Sequence, residues 1–114
     1  MPYRGDIVLG RFPFTDGSRV KLRPVLVLAR VPGQHDDYLV LFISSQLRMA
    51  ATGIDIVLDR QHPSFARAGL KVPSVLRIGK VATISISLIL GPLGKIDDPL
   101  LADIVRRLTD LLQA

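Results

Sequence analysis

Apolar residues fall along this chain in short runs broken by turn-forming residues, a pattern of strands rather than helices. The first run, residues 6–12, ends at Pro13 and opens onto the turn-rich Phe14-Thr15-Asp16-Gly17-Ser18. Val25-Leu26-Val27-Leu28-Ala29 is continuously apolar, as expected of a strand covered on both faces. A loop from Pro32 to Asp37 leads to another apolar strand, residues 38–43, which runs into Ser44-Ser45-Gln46. Residues 53–58 alternate in part, with Asp55 between Ile54 and Ile56. Residues 59–73 hold two prolines and a glycine with no long period, which predicts an irregular excursion. Residues 75–78 and 81–84 flank Gly79-Lys80, a candidate bulge or kink. Residues 86–90 form the last predicted strand, before Gly91-Pro92-Leu93-Gly94.

Only the end of the chain is helical in period. Leu100, Leu101, Ile104, Val105, Leu108, Leu111 and Leu112 recur at spacings of three and four. Asp97-Asp98-Pro99 supplies an N-cap and an early helical proline, with acid at the positive end of the helix dipole. Asp103, Arg106, Arg107 and Asp110 fill the opposite face. The expected fold is therefore mainly β with a C-terminal α-helix. Six short strands form a small, twisted antiparallel barrel, and the helix closes one end.

Composition narrows the chemistry. The length of 114 residues is that of one domain, and 39 Ile, Leu and Val residues are enough for a packed core. There is no Cys, which excludes disulfides, zinc–thiolate sites, iron–sulfur clusters and thiol nucleophiles. There is no Glu, so every acidic side chain is an Asp. The N-terminal residues carry no apolar signal segment, and the apolar stretches are far too short to span a membrane. A cytoplasmic protein with no membrane partner is the expectation.

Eleven of the 15 basic residues are Arg, and the net charge is +5. The charge is uneven: residues 1–95 carry +7 and residues 96–114 carry −2. A small basic domain points to a polyanionic partner, with nucleic acid first and an acidic protein second. Guanidinium suits phosphate because it binds in bidentate fashion. The plain alternative is that the charge serves solubility.

Several segments, taken in order, resemble one family. Arg4-Gly5-Asp6-Ile7-Val8 and then Arg23-Pro24-Val25-Leu26-Val27-Leu28 look like the opening of the MazF/PemK-type toxins of type II toxin–antitoxin systems. Ile43-Ser44-Ser45-Gln46 resembles the family's second signature, an apolar strand ending in hydroxyl residues. Gly69-Leu70, Pro73-Ser74-Val75-Leu76-Arg77 and Lys80-Val81-Ala82-Thr83-Ile84 resemble the third. Leu90-Gly91-Pro92-Leu93 and the terminal helix follow in the family's order, so the likeness spans essentially the whole chain. It implies one SH3-like barrel domain over residues 1–114, of the plasmid-maintenance-toxin type. It also implies a homodimer that cleaves single-stranded mRNA without a metal and is blocked by a cognate antitoxin.

The resemblance carries over to particular residues. Arg23 stands at the family's catalytic arginine, and Pro24 after it restricts it to an extended backbone. An arginine side chain is a charged donor with no acceptor atom, which suits charge stabilisation and proton donation rather than general base catalysis. Ser44 stands where the family has Thr or Ser, and its hydroxyl can donate to a phosphate oxygen. The plain alternatives are a solvent arginine at a strand edge and a turn serine bonded to local backbone.

Substrate-binding candidates are Arg19, Lys21, Ser45, Gln46, Arg77, Lys80 and Phe14, the last as a base-stacking ring. In some relatives the arginine matching Arg77 acts with an Asp two positions on, where this chain has Gly79. His35 and His62 are read as exposed loop residues. No metal site and no cofactor is expected. Two other functions stay open. One is a non-catalytic barrel that binds RNA or protein, which Gly79 keeps in play. The other is a gyrase poison of the CcdB kind, although the ending Leu111-Leu112-Gln113-Ala114 lacks the aromatic tail of those proteins.

Overall fold

In the computed structural model, which describes residues 2–13 and 19–114, the apolar runs become six strands. They are β1 (Asp6–Pro13), β2 (Val20–Val31), β3 (Asp37–Ser44), β4 (Ile56–Leu58), β5 (Ser74–Ser85) and β6 (Ile89–Lys95). A short helix α1 (Phe65–Ala68) follows β4, and the helix α2 (Asp98–Gln113) ends the chain. The strands form one sheet in the order β4-β5-β3-β2-β1-β6, with adjacent strands antiparallel throughout. None of the helices among the described residues is long and apolar enough to cross a membrane.

Period-2 alternation sorts the side chains onto two faces. On the inner face Ile7, Leu26, Leu28, Leu41, Ile43, Leu76 and Ile78 pack against Leu100 and Ile104 of α2. Fully burying one such side chain stabilises the fold by about 1.5–3 kcal/mol. On the outer face Val8, Val25, Val27, Tyr38, Val40 and Ile84 form a second layer. It is covered by Ile86 and Leu88, which lie in the turn Ile86–Leu88. Continuous apolarity at residues 25–28 thus reflects cover on both sides, as read from the sequence.

The two edge strands, β4 and β6, are not paired with each other; the sheet is closed by α1. Gly69 caps α1 with φ of +72°, and a Cβ there would come within 2.0 Å of the Leu93 carbonyl oxygen. At Gly94 a Cβ would lie 2.2 Å from the Arg67 carbonyl oxygen. Two glycines let the backbones of α1 and β6 touch where any side chain would hold them apart. The buried Ser64 hydroxyl then donates to Asp97 at 2.6 Å, and Asp97 accepts the Leu100 N–H at 3.0 Å as the N-cap of α2. The capping expectation at Asp97 is borne out.

Four boundaries differ from the sequence reading. β2 extends to Val20, because its exposed end pairs with β1 through Phe12 and Lys21 and needs no apolar pattern. Residues 53–58 give strand only at Ile56–Leu58, the part that pairs with β5. Ile86–Leu88 is a 3-10 turn, and the last strand instead runs through Gly91, Pro92 and Gly94. Proline is tolerated there because β6 is an edge strand. The excursion 59–73 contains α1, too short to show a period. The kink at Gly79 is real: β3 passes from Ile43 to Leu41 while β5 passes from Leu76 to Val81.

Candidate active site

Strand alternation puts Arg23 and Ser44 on the same face of the sheet. β2 and β3 pair Val25 with Phe42, Leu26 with Leu41 and Val27 with Val40. The ladder ends at Val25–Phe42, and its register continued by two residues leads to Arg23 on β2 and Ser44 on β3. Both stand on the outer face, since Val25, Val27 and Val40 pack there and side chains alternate. Arg23 is half-buried and makes no hydrogen bond or ion pair among the described residues. The Ser44 oxygen accepts the Gln46 N–H at 3.1 Å, which is the local bond of a turn serine. That bond uses an acceptor site and leaves the hydroxyl proton available to donate.

On the other side of β2, Gly10 pairs with Arg23. A Cβ at Gly10 would come within 2.5 Å of the Phe12 ring, so the missing side chain is the space that ring occupies. The rings of Phe12 and Phe42 meet at 5.3 Å, tilted by 56°. They come from the strands flanking β2 and so span it at the level of Arg23. Sequence reading had not singled out this pair.

Arg77 joins the same face. Ser44 pairs with Val75, and Arg77 lies two residues beyond it while Leu76 and Ile78 point into the inner core. Two strand spacings, about 10 Å, separate the β2 and β5 backbones. The Arg77 Nε donates to Asp55 at 3.0 Å. Gly79 offers no acid to Arg77; the acid beside it is Asp55, at the entry to β4. The sequence did carry a signal for this pair: a lone acid between Ile54 and Ile56, and a lone arginine within an apolar strand.

The other candidates separate from this cluster. Lys21, Ser45 and Gln46 line a cavity of about 410 Å³ at the open mouth of the barrel, which Arg23 also borders. Its walls are Leu9, Leu22, Pro24, Ile43, Leu70, Val72 and Leu93, and Lys71 is a further cation at its edge. Arg19 is exposed just before β2, and Lys80 is exposed within the β5 bulge. Phe14 lies outside the described residues. His35 is exposed in the loop between β2 and β3. His62 is half-buried rather than exposed, because its Nδ1 accepts the Ser64 N–H at 3.1 Å within the turn before α1. No group of three or more metal-ligating side chains gathers among the described residues.

Two carboxyls that support α2 are held below their ordinary value. The Asp97 carboxyl is held below its ordinary value, first by the Ser64 hydroxyl and then by the Leu100 N–H. The Asp103 carboxyl is likewise lowered, chiefly by Arg106 on the same helix. Both belong to the support of α2.

Among solved structures, the Mycobacterium tuberculosis toxin MazF-mt6 superposes with a TM-score of 0.69 at 22% identity, covering 95% of this chain and 96% of that one. The MazE-MazF structure from Deinococcus radiodurans gives a TM-score of 0.71 at 21% identity, covering 98% and 96%. At these identities the likeness establishes the fold. None of the curated proteins searched matches the sequence. The sequence itself matches the PemK-like, MazF-like toxins of type II toxin–antitoxin systems over residues 3–112, and the chain belongs to that family.

Proposed function

We propose that the protein is a metal-independent endoribonuclease that cleaves single-stranded mRNA. The observation that carries this reading is that Arg23 and Ser44 fall on one sheet face just past the end of the β2–β3 ladder, with Arg77 on the same face of β5. The reaction needs the 2′-OH to attack its own neighbouring phosphorus. The 2′-O–P bond forms, the P–O5′ bond breaks, the 2′ proton leaves to solvent and the 5′ oxygen is protonated. The products are a 2′,3′-cyclic phosphate, or the 3′-phosphate after hydrolysis, and a 5′-OH.

Charge builds up on the non-bridging oxygens, where preorganised donors count most. Arg23 is the charged donor: it stabilises the charge on the phosphorane, passes a proton to the leaving 5′ oxygen and regains one from solvent. Ser44 donates its hydroxyl proton to a non-bridging oxygen. Arg77 binds the same phosphate or its neighbour. Lys21, Ser45, Gln46, Arg19 and Lys80 bind the flanking RNA.

The functional unit in this reading is a homodimer. Val20, Leu22, Leu90 and Leu93 are exposed aliphatic side chains on β2 and β6, the sort of surface a second copy would cover. An acidic antitoxin segment would compete with RNA for the cationic surface. The Deinococcus structure, a MazE-MazF complex, supports an antitoxin partner.

The test is to incubate the purified protein with a long single-stranded RNA in excess chelator and map the cut ends. Chelator-resistant cleavage leaving 5′-OH ends is expected. Loss of cleavage with chelator, or 5′-phosphate ends, would overturn the mechanism. Tight RNA binding without any cleavage would instead favour a binding barrel, the reading that Gly79 keeps alive.

A further inference from the structure

The Arg77–Asp55 pair is built with more care than a core ion pair needs. The Asp55 side chain is only 3% exposed. Its Oδ1 accepts the Ile78 N–H at 2.9 Å, and its Oδ2 accepts the Ala51 N–H at 2.9 Å and the Arg77 Nε at 3.0 Å. The carboxylate is therefore satisfied largely by backbone before the arginine is counted. Arg77 is held through Nε, and its two terminal nitrogens have no protein partner among the described residues. Its side chain keeps 18% exposure on the outer face that carries Arg23 and Ser44.

The backbone that carries Asp55 is in turn clamped by the C-terminal helix. Arg107 of α2 donates to the Ile54 carbonyl at 3.0 Å and to the Asp55 carbonyl at 3.2 Å. Asp103 pairs with Arg107 at 3.3 Å from the turn before it. Position 79 adjoins the same helix: a Cβ there would make ordinary contact with the Leu111 Cδ2, at 3.6 Å.

We propose that Asp55 is the positioning carboxylate for Arg77, and that Arg107 holds Asp55 in place, so that α2 helps set the orientation of the second phosphate-binding arginine. The inference rests on the reading of the outer face as the RNA site. A guanidinium fixed at Nε presents its remaining N–H groups in a defined plane, as a phosphate fork requires. A carboxylate needed only for stability would be poorly chosen, because buried ion pairs are often replaceable by apolar residues without loss.

The experiment compares wild type, Arg77→Gln, Asp55→Asn and the apolar double variant Asp55→Leu/Arg77→Met. Each is followed by thermal unfolding, RNA affinity against salt and single-turnover cleavage. Arg77→Gln should lower the steepness of log affinity against log salt by about 0.7, one single-strand phosphate contact. It should also lower the cleavage rate by roughly ten- to a hundredfold, the loss of one charged hydrogen bond. Asp55→Asn retains the arginine, yet should lose most of the same rate. The double variant should fold and match Arg77→Gln in both slope and rate, since the pair acts as one unit.

A folded Asp55→Asn protein with the wild-type rate overturns the inference and leaves the proposed function standing. Where that variant does not fold, a double variant with full slope and rate does the same. A wild-type chain that binds no RNA overturns the proposed function, and this inference with it.

Discussion

The two faces of the sheet near Arg23 are made from alternate residues of the same strands, yet they do different work. The inner face presents Leu9, Leu22, Pro24 and Ile43 to an apolar cavity, with Ser45 and Gln46 at its mouth. The outer face presents Arg23, Ser44 and Arg77 beside the rings of Phe12 and Phe42. Ser44 and Ser45 are adjacent in the chain but belong to opposite sides. β3 ends at Ser44, and the bend at Ser45 turns the next hydroxyl to the cavity, so adjacent residues supply a candidate phosphate donor and a cavity-lining hydroxyl. The inner face is held by helix docking and glycine contacts, whereas the outer face holds its charged groups on rigid strand backbone. Substitutions should therefore divide into those that unfold the protein and those that silence it.

The largest effect should come from the inner closure. Gly69→Ala forces a side chain into a left-handed conformation and against the Leu93 carbonyl. Strain of this kind costs about 3 kcal/mol before the clash is counted, a large share of the stability of a small domain. Thermal unfolding should show a sharply lowered Tm or no cooperative transition. A Gly69→Ala protein with the wild-type Tm would show that the α1–β6 contact is not what closes the sheet.

Arg23→Ala should behave in the opposite way. Loss of one preorganised charged donor should slow RNA cleavage at least about a hundredfold, equivalent to ~2.7–4 kcal/mol of transition-state stabilisation. Its Tm should hardly move, because the side chain makes no ion pair or hydrogen bond among the described residues. Full activity in the folded variant would remove Arg23 from the mechanism.

The serine pair separates the faces most finely. Ser44→Ala should slow cleavage about tenfold, as expected for one neutral hydrogen bond. Ser45→Ala should change the rate by less than about threefold, in line with a lost bond at the weak end of that range. Single-turnover rates on one RNA would decide between them, and equal losses would erase the distinction between faces.

The smallest effect should appear in acid. The folded Asp97 carboxyl lies below its ordinary value of 3.8, because Ser64 and Leu100 bond its charged form. Its contribution to stability is present above that value and is lost as pH falls through the lower folded one. Asp97→Asn should lower Tm modestly near neutral pH and make the fall of Tm below pH 3.8 shallower than in wild type. Parallel melting curves for the two proteins across that range would show that Asp97 is not a source of the acid sensitivity.

Much of this was legible in residue order because the signals are local. Alternation and continuous apolar runs marked the strands. The Leu and Ile spacing after Asp97 marked α2, and Arg23-Pro24 and Ile43-Ser44-Ser45-Gln46 marked positions that lie just past the end of the β2–β3 ladder. Boundaries failed where pairing rather than side-chain pattern decides them. At β6, Gly91, Pro92 and Gly94 read as a loop in one dimension but make an edge strand against β1.

What the sequence determined by itself was the set of elements, the basic balance and the identity of the candidate donors, all properties of a residue and its near neighbours. Only the tertiary structure decided which of those donors share a face and what holds them. Asp55 and Arg77 are 22 positions apart, and Arg107 reaches Asp55 across 52. Such pairs have no local signature. They form because strand register and helix docking bring distant backbone within hydrogen-bond range, where a buried charge must find its partner.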